Sequence, residues 1–372
     1  MDTTKTGGPR VPGFEGARVR TFEPSDLRTF EPSAPRTLGP LGPSNRKCYC
    51  PPVRWGIVGV GSVCEVKSGP ALQKADGSSL VAVMRRDRAK AEDFARRHGV
   101  PVVHSTADEL IADPEVDAVY VATPPDSHAD LAMRVAAARK PCLVEKPMAR
   151  THAEALAMVE AFERAGAPLW VAYYRRALPR FVLVRQLIAD NVVGPVTSIH
   201  VRLTRPIATG AVLADWRLVP EISGGGLFFD LASHAVDLVD FLLGPIARVA
   251  GFSANTGGAY AAEDVTAAAF ELERGAVGTG VWNFNAGETT DQLTICGASG
   301  EITTAVFDDV DVMVTHGGAT RIHHVRNPPH VHQPLVQTIV DEWRGHGRCP
   351  SSGASGARAS WALDQCVRKG GV

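Results

Sequence analysis

The sequence predicts an α/β protein with two domains: a doubly wound parallel sheet, followed by an α+β unit with a large, mostly antiparallel sheet. Three patterns indicate this. An apolar stretch at 55–58, typical of a buried parallel strand, runs directly into Gly59-Val60-Gly61. Segments typical of strands and helices then alternate as far as Tyr173. From Ile246 to about His324, runs rich in Val, Thr and Ala are separated by glycine turns, which favours consecutive antiparallel strands.

Composition narrows the class of protein. A chain of 372 residues with 45% hydrophobic and 21% charged residues has room for two domains with separate cores. Its net charge of −1 gives no electrostatic reason to expect nucleic acid or an anionic membrane as a partner. No apolar run approaches the roughly 20 residues of a membrane helix, and the N-terminus lacks a secretory apolar core. The seven scattered cysteines favour reduced thiols in a cytoplasm.

Residues 1–52 form a segment apart. They are rich in Pro, Gly, Arg and Ser, and the hexapeptide Arg-Thr-Phe-Glu-Pro-Ser occurs at Arg20 and again at Arg28. Such a composition buries too little apolar surface to offset the entropy of ordering. We expect a disordered tail or translated sequence upstream of the true start, with a transit peptide as the alternative.

The first folded domain is predicted over 53–173. Its further strands are expected at 80–84, 117–122, 141–144 and 169–173, and its helices at 88–98, 126–138 and 151–165. Strands separated by helices of this length require right-handed crossovers and therefore a parallel sheet. The pattern predicts a nucleotide-binding domain of the Rossmann type.

The turn after the first strand is the expected pyrophosphate site. Gly59 permits a sharp turn, and Gly61 lets the backbone of Ser62 and Val63 approach phosphate at a helix N-terminus. Cys64 stands where the third glycine of this motif is usual, which weakens the motif. The alternative interpretation is an ordinary tight turn.

The end of the second strand bears on the choice of cofactor. An NAD site usually has an acidic residue there, whereas this chain has Arg85-Arg86-Asp87. Because guanidinium groups suit a 2′-phosphate, we expect NADP, with NAD as the alternative. In that alternative both arginines are solvated and Asp87 binds the ribose.

Two further loops follow strands at the carboxyl edge of the sheet, where ligands bind in such folds. The first contributes candidate cofactor contacts at Thr123, Pro124, Pro125 and His128. The second is Glu145-Lys146-Pro147, in which Glu145 and Lys146 are also expected to face the cofactor. In a cleft, Lys146 would hydrogen-bond a substrate oxygen. The alternative is a surface ion pair.

The second domain is predicted over 174–348, with a helix at 180–190, a strand at 196–204 and a helix that ends at Gly244. At 100° per residue, Asp230, His234 and Asp237 fall on one face of that helix. The alternative is a solvated face with a chance histidine. Residues 349–372 are expected to form a tail with a short helix around 359–368.

Four histidines lie close together near the end of the second domain. No acidic or cysteine residues of fitting spacing accompany them, so we expect no metal site. They are His323, His324, His330 and His332.

Taken together, the Gly-x-Gly turn, Glu145-Lys146-Pro147, and Asp230-x-x-x-His234 after three glycines resemble the Gfo/Idh/MocA oxidoreductases. The resemblance covers about 53–348 and implies a Rossmann domain joined to a domain with an open sheet. That sheet often serves as an oligomer interface, so a homodimer or homotetramer is expected. Cys64 and Ala232 depart from the usual glycines.

The resemblance also implies roles for individual residues. Lys146, Asp230 and His234 match the catalytic residues of the family. Trp216-Arg217 matches a pair that lies near the cofactor in the anhydrofructose reductase group.

The hypothesis is hydride transfer between nicotinamide and a secondary alcohol or ketone of a sugar, polyol or cyclitol. His234 would be the general acid/base, Lys146 would polarise the carbonyl, and Asp230 would orient the imidazole or bind a hydroxyl. Tyr174, Arg176 and Arg217 are further candidates for the pocket. The alternatives are a dihydrodiol dehydrogenase and a non-catalytic regulatory protein of the same fold.

Overall fold

The computed structural model describes residues 51–207, 209–210 and 215–367. Of the predicted tail, residues 1–50 therefore lie outside the described part of the chain. Six parallel strands form the first sheet, in the order β3-β2-β1-β4-β5-β6. Strands β4, β5 and β6 are buried along their whole length, as expected of strands covered on both faces. The strands are β1 Val53–Val58, β2 Ser78–Met84, β3 Val102–His104, β4 Ala118–Val121, β5 Cys142–Val144 and β6 Leu169–Val171.

Helices connect these strands, and their ends follow from local chemistry. Asp87 caps α2 by accepting a hydrogen bond from the Lys90 amide at 3.2 Å, and Gly99 ends it at φ 66°. Strand β3 and helix α3 are additional to the predicted elements. The helices are α1 Gly69–Lys74, α2 Arg88–His98, α3 Ala107–Ala112, α4 His128–Ala137 and α5 His152–Ala165.

Eight strands form the second sheet, in the order β14-β13-β12-β11-β7-β10-β9-β8. Among the described strands of this sheet, β7 and β10 alone pair in parallel, and the predicted fold class is confirmed. Along β10, Trp282 is buried while Val277 and Val281 are exposed, so one face of the sheet packs on the core. The strands are β7 Val196–Thr204, β8 Ile246–Ala254, β9 Val265–Leu272, β10 Val277–Asn283, β11 Thr290–Gly297, β12 Gly300–Thr304, β13 Val312–His316 and β14 Ala319–His323.

The remaining helices are α6 Pro179–Ala189, α7 Pro220–Ser223, α8 Ser233–Leu243, α9 Gln333–Trp343 and α10 Gly353–Val367. Helix α9 was not predicted, and α10 begins ahead of its expected start. The segment between α9 and α10 covers the edge strand β6 of the first sheet, where the Ser351 hydroxyl donates a hydrogen bond to the Val171 carbonyl at 2.7 Å. In the described part of the chain, no helix combines the length and apolar character needed to span a bilayer.

Candidate functional site

The glycine turn after β1 has the shape of a phosphate cradle. Gly59 has φ +95°, and a Cβ there would come within 2.6 Å of the Thr123 methyl group. At Gly61 an added Cβ would meet only a backbone oxygen, at 3.8 Å, so the space above it is open. Ser62 and Val63 begin the helical turn, where the first N–H groups have no intrahelical acceptor. These features fit the pyrophosphate of a dinucleotide.

Cys64 fills the position of the third glycine without blocking the turn. It begins a π-helical segment, Cys64–Ser68, and its side chain is fully buried. Burial raises the pKa of the thiol to about 11, so it stays neutral and packs as a small apolar group. The departure from the glycine pattern therefore leaves the phosphate cradle intact.

The residues at the end of β2 divide between two environments. The Arg85 guanidinium donates to the Val60 carbonyl at 2.9 Å, beside the glycine turn, and Arg86 is exposed. The Asp87 carboxylate caps α2 and also pairs with the Lys90 ammonium at 3.1 Å. Contacts with Lys90 lower the pKa of Asp87. This carboxylate already has two donors within its own helix.

His128 is buried between two loops at the carboxyl edge of the first sheet. The imidazole is fully buried, with Nδ1 3.1 Å from the Pro147 carbonyl and Nε2 2.7 Å from the Thr123 carbonyl. Pro124 and Pro125 lead into the short turn that precedes this residue. His128 thus positions the two loops.

Glu145 turns inward from the end of β5. It is buried, accepts a hydrogen bond from the Tyr120 hydroxyl, and accepts the Lys146 backbone N–H at 3.0 Å. Burial raises the pKa of this carboxyl, and the nearby Lys146 opposes the shift. The surface ion pair considered from the sequence is therefore wrong. The following Lys146–Pro147 peptide bond is cis.

Lys146 reaches across to the second domain. Its ammonium lies 2.6 Å from Oδ1 of Asp230 and donates to the Asp230 carbonyl at 3.0 Å. Arg217 approaches the other carboxylate oxygen at 3.4 Å, and its guanidinium lies 4.4 Å from the ring centroid of Trp216. Burial alone would raise the pKa of Asp230, but Lys146 and Arg217 bring it below its usual value.

His234 stands in the first turn of α8 with 4% of its surface exposed. The rings of Tyr174, Tyr173 and Phe307 meet it edge-on, with centroids at 5.3, 5.9 and 5.9 Å. Within the described ranges, its Nδ1 has no hydrogen-bond partner. The aromatic walls hold the imidazole in a site of low polarity.

Burial lowers the pKa of His234 well below 6.5, and the positive charges of Arg175, Lys146 and Lys67 act in the same direction. The imidazole is therefore neutral at physiological pH. Asp230 directs its carboxylate to Lys146 and Arg217 instead of to this ring.

Arg176 is not brought to this cluster. Its Nε lies 2.9 Å from both carboxylate oxygens of Asp237, and its Nη2 lies 2.9 Å from Asp240. All three side chains are at most 5% exposed. Asp237 therefore belongs to a buried ionic network, and the solvated-face alternative for this helix is wrong. The π-helical segment Phe228–Ala232 shifts Asp230 out of the register that an α-helix would give it.

Three residues near the site were missed at the sequence level. Arg175 and Lys67 lie over the Tyr174 ring, at 4.8 and 6.0 Å from its centroid. His332 stacks on the same ring, with a centroid distance of 4.4 Å. Adjacency to Tyr174 and to the glycine turn could have pointed to the first two. His332 was considered only as a metal ligand, and no local signal placed it beside Tyr174. Among 51–207, 209–210 and 215–367, no group of three metal-ligating side chains is present.

Comparisons with known proteins agree with this architecture. The family model "Oxidoreductase family, NAD-binding Rossmann fold" matches residues 53–173, and "GFO/IDH/MocA C-terminal domain" matches 181–303. Oxidoreductase P35 of Formosa agariphila is 37% identical over 315 residues, covering 84% of this chain and 97% of that protein. Inositol 2-dehydrogenase of Rhizobium meliloti is 33% identical over 196 residues, covering 52% of this chain and 55% of that one.

Solved structures show the same fold. Levoglucosan dehydrogenase, in complex with NADH and levoglucosan, has a TM-score of 0.75 at 21% identity, over 84% of this chain and 95% of that one. Aldose-aldose oxidoreductase from Caulobacter crescentus, complexed with glycerol, has a TM-score of 0.76 at 22% identity, over 86% and 98%. Because an NAD-binding family model matches its first domain and its relatives are oxidoreductases, the chain is a dehydrogenase or reductase that uses a nicotinamide cofactor. It belongs to the Gfo/Idh/MocA family of oxidoreductases.

Proposed function

We propose that the protein transfers a hydride reversibly between nicotinamide and a secondary alcohol or ketone carbon of a sugar, polyol or cyclitol. The observation that carries this proposal is the 2.6 Å contact between Lys146 and Asp230, which joins the two domains at the carboxyl edge of the first sheet. His234, within range of the Lys146 charge, completes the set. A positioned cation, carboxylate and neutral imidazole are the groups this reaction requires.

Each of the three residues has a distinct task. In alcohol oxidation, neutral His234 accepts the hydroxyl proton, and in the reverse direction it returns that proton. Lys146 donates a hydrogen bond to the substrate oxygen and stabilises the alkoxide as it develops. Asp230 holds the lysine ammonium in place. The nicotinamide, when bound, accepts or supplies the hydride.

The cofactor would be held by the glycine turn and the loops beside it. Gly59, Gly61, Ser62 and Val63 suit the pyrophosphate, and the loop at Thr123 forms a wall of the cleft. Trp216 and Arg217 supply a stacked aromatic–cation pair beside Asp230.

We propose NADP as the preferred cofactor. Arg85 and Arg86 stand at the strand end where a 2′-phosphate would lie, and the Asp87 carboxylate is already engaged by Lys90. A fluorescence titration should show tighter binding of NADPH than of NADH. Arg85→Asp should reverse that preference, whereas Arg96→Asp, in the last turn of α2, should not. Tighter binding of NADH to the unmodified protein would contradict the assignment.

The test of the reaction is steady-state turnover against inositol, levoglucosan, an aldose and trans-1,2-dihydrobenzene-1,2-diol. Lys146→Met and His234→Ala should each lower kcat by about 10² or more, because each removes a group that acts in the transition state. Cofactor affinity should stay within about threefold of the unmodified protein. His324→Ala, at an exposed histidine, is the control. Normal turnover by both variants would refute the proposal.

A dihydrodiol dehydrogenase is the second candidate. It is favoured by the trans-1,2-dihydrobenzene-1,2-diol dehydrogenase of Danio rerio, which is 31% identical over 192 residues, covering 50% of this chain and 55% of that protein. The substrate panel separates the two candidates.

We also propose a homo-oligomer formed through the second sheet. Phe252, Val277 and Ile322 on that sheet are 85%, 55% and 51% exposed, so its outer face offers apolar side chains that a second copy of the chain would cover. Light scattering of Phe252→Glu should show a smaller assembly than the unmodified protein. An unchanged mass would exclude this side chain from the interface.

A further inference from the structure

His332 enters the candidate site from a distant part of the chain. It is the residue before α9, has 2% of its surface exposed, and stacks on Tyr174 with an interplanar angle of 28°. A stacked pair of rings at 4.4 Å is a specific aromatic contact that restrains both partners. The side chain is therefore part of the wall of the site.

The position of His332 is fixed from the first domain. The Asp76 amide donates to the Gln337 side chain at 2.8 Å, and the Gln333 side chain donates to the Lys74 carbonyl at 3.2 Å. These bonds attach the start of α9 to the end of α1. The imidazole is thus held by a helix packed on the nucleotide-binding domain.

Tyr174 transmits this restraint to His234. Its ring contacts both imidazoles: it is stacked on His332 and edge-on to His234 at 5.3 Å. Tyr174 is 7% exposed, so the three rings form a continuous layer with little access for water. The other groups facing His234 are the rings of Tyr173 and Phe307 and the cations of Arg175, Lys146 and Lys67.

His332 does not have the surroundings of a second acid/base group. Its Nδ1 faces Glu145 Oε1 at 4.0 Å, beyond hydrogen-bond distance, and has no partner among the described residues. Burial lowers its pKa to about 3, with Lys67, Lys146 and Arg175 acting in the same sense. The ring acts as a neutral, flat surface.

Resting on the function proposed above, we infer that His332 is a positioning residue: its ring holds Tyr174 against His234 and keeps water from the catalytic imidazole. The property that matters is the flat, apolar face of the ring. A phenyl ring would supply the same face, and a methyl group would leave a gap through which Tyr174 could move and water enter.

The experiment compares His332→Phe with His332→Ala, with His324→Ala as the matched control. For each variant, kcat, KM and the pH dependence of kcat/KM are measured with the best substrate of the panel, and the melting temperature is recorded. His332→Phe should retain kcat within about threefold and leave the acid limb of the profile in place. His332→Ala should lower kcat about tenfold or more and move that limb toward pH 6.5, because water reaches His234.

Two results would overturn the inference. One is a normal kcat and pH profile for His332→Ala, and the other is a decrease in kcat for His332→Phe as large as that for His332→Ala. If His332→Ala fails to fold, His332→Leu, which fills volume without a flat ring, takes its place with the same expectation. His234→Ala is assayed in parallel. Normal turnover by His234→Ala refutes the proposed reaction itself, whereas an inactive His234→Ala beside a normal His332→Ala refutes only the positioning role.

Discussion

Replacing Arg176 with methionine tests whether this arginine holds the second domain together or binds substrate. The guanidinium contacts both oxygens of Asp237, a fully buried carboxylate, and one oxygen of Asp240. Asp240 keeps Arg358 as a partner at 2.7 Å, but Asp237 loses its only ion-pair partner within the described part of the chain. Breaking a buried pair on one side costs about 3–5 kcal/mol.

For a chain of this size that cost lowers the melting temperature on the order of 5–10 °C, which calorimetry or circular dichroism would detect. Arg358→Met is the control. Because the Arg358 side chain is 45% exposed, its loss should cost no more than about 1 kcal/mol. Arg176→Met combined with Asp237→Asn should recover much of the stability, since the orphaned charge is gone.

The pH dependence gives a second test of the same variant. Burial already raises the pKa of Asp237 to about 6, and losing the arginine raises it further. A carboxyl whose folded pKa lies above its unfolded value destabilises the fold when ionised, and this penalty disappears as the pH falls through the folded pKa. The free energy of unfolding of Arg176→Met should therefore be closer to that of the unmodified protein at pH 5 than at pH 8. The reasoning would be refuted if Arg176→Met lost no more free energy of unfolding than Arg358→Met does, and if that loss were the same at pH 5 and at pH 8.

Three further predictions follow from the site. Gly59→Ala should weaken dinucleotide binding about tenfold or more in a fluorescence titration, because its Cβ meets Thr123 at 2.6 Å; Gly99→Ala, with nothing within 4 Å, should not. Asp230→Asn should lower kcat about tenfold while cofactor affinity is kept, since Lys146 loses its anchor. Alcohol oxidation should hold its rate from pH 8 to 6.5, because burial lowers the pKa of His234 and protonation removes the base only below that range.

The first domain was predicted well because its signals are local. Strands buried on both faces give continuous apolar runs, and helix ends are marked by residues such as Asp87 and Gly99, whose capping geometry the structure shows. Strand β3 escaped because its three residues, one exposed and two half-buried, carry no distinct pattern. Helix α3 escaped because six residues are too few for a helical period to stand out.

The helix that holds His234 shows where periodicity fails. An ideal α-helix places Asp230, His234 and Asp237 on one face, but the π-helical segment before α8 changes the register. Every residue of α8 is buried, so its polar side chains meet partners from other elements. Asp230 binds Lys146, and Asp237 binds Arg176. Spacing along one helix does not reveal which distant side chain will be the partner.

The charges around His234 raise a question that the geometry answers. Cations that lower the pKa of the imidazole make it a weaker base, yet the proposed reaction needs it to take a proton from an alcohol. The same cations stabilise an alkoxide, so they lower the pKa of a bound alcohol as well. Proton transfer depends on the difference between these two pKa values. In the proposed mechanism Lys146 would donate to the substrate oxygen and would therefore act more strongly on the alkoxide than on the imidazole. A buried, neutral histidine beside an anchored lysine therefore keeps the transfer balanced.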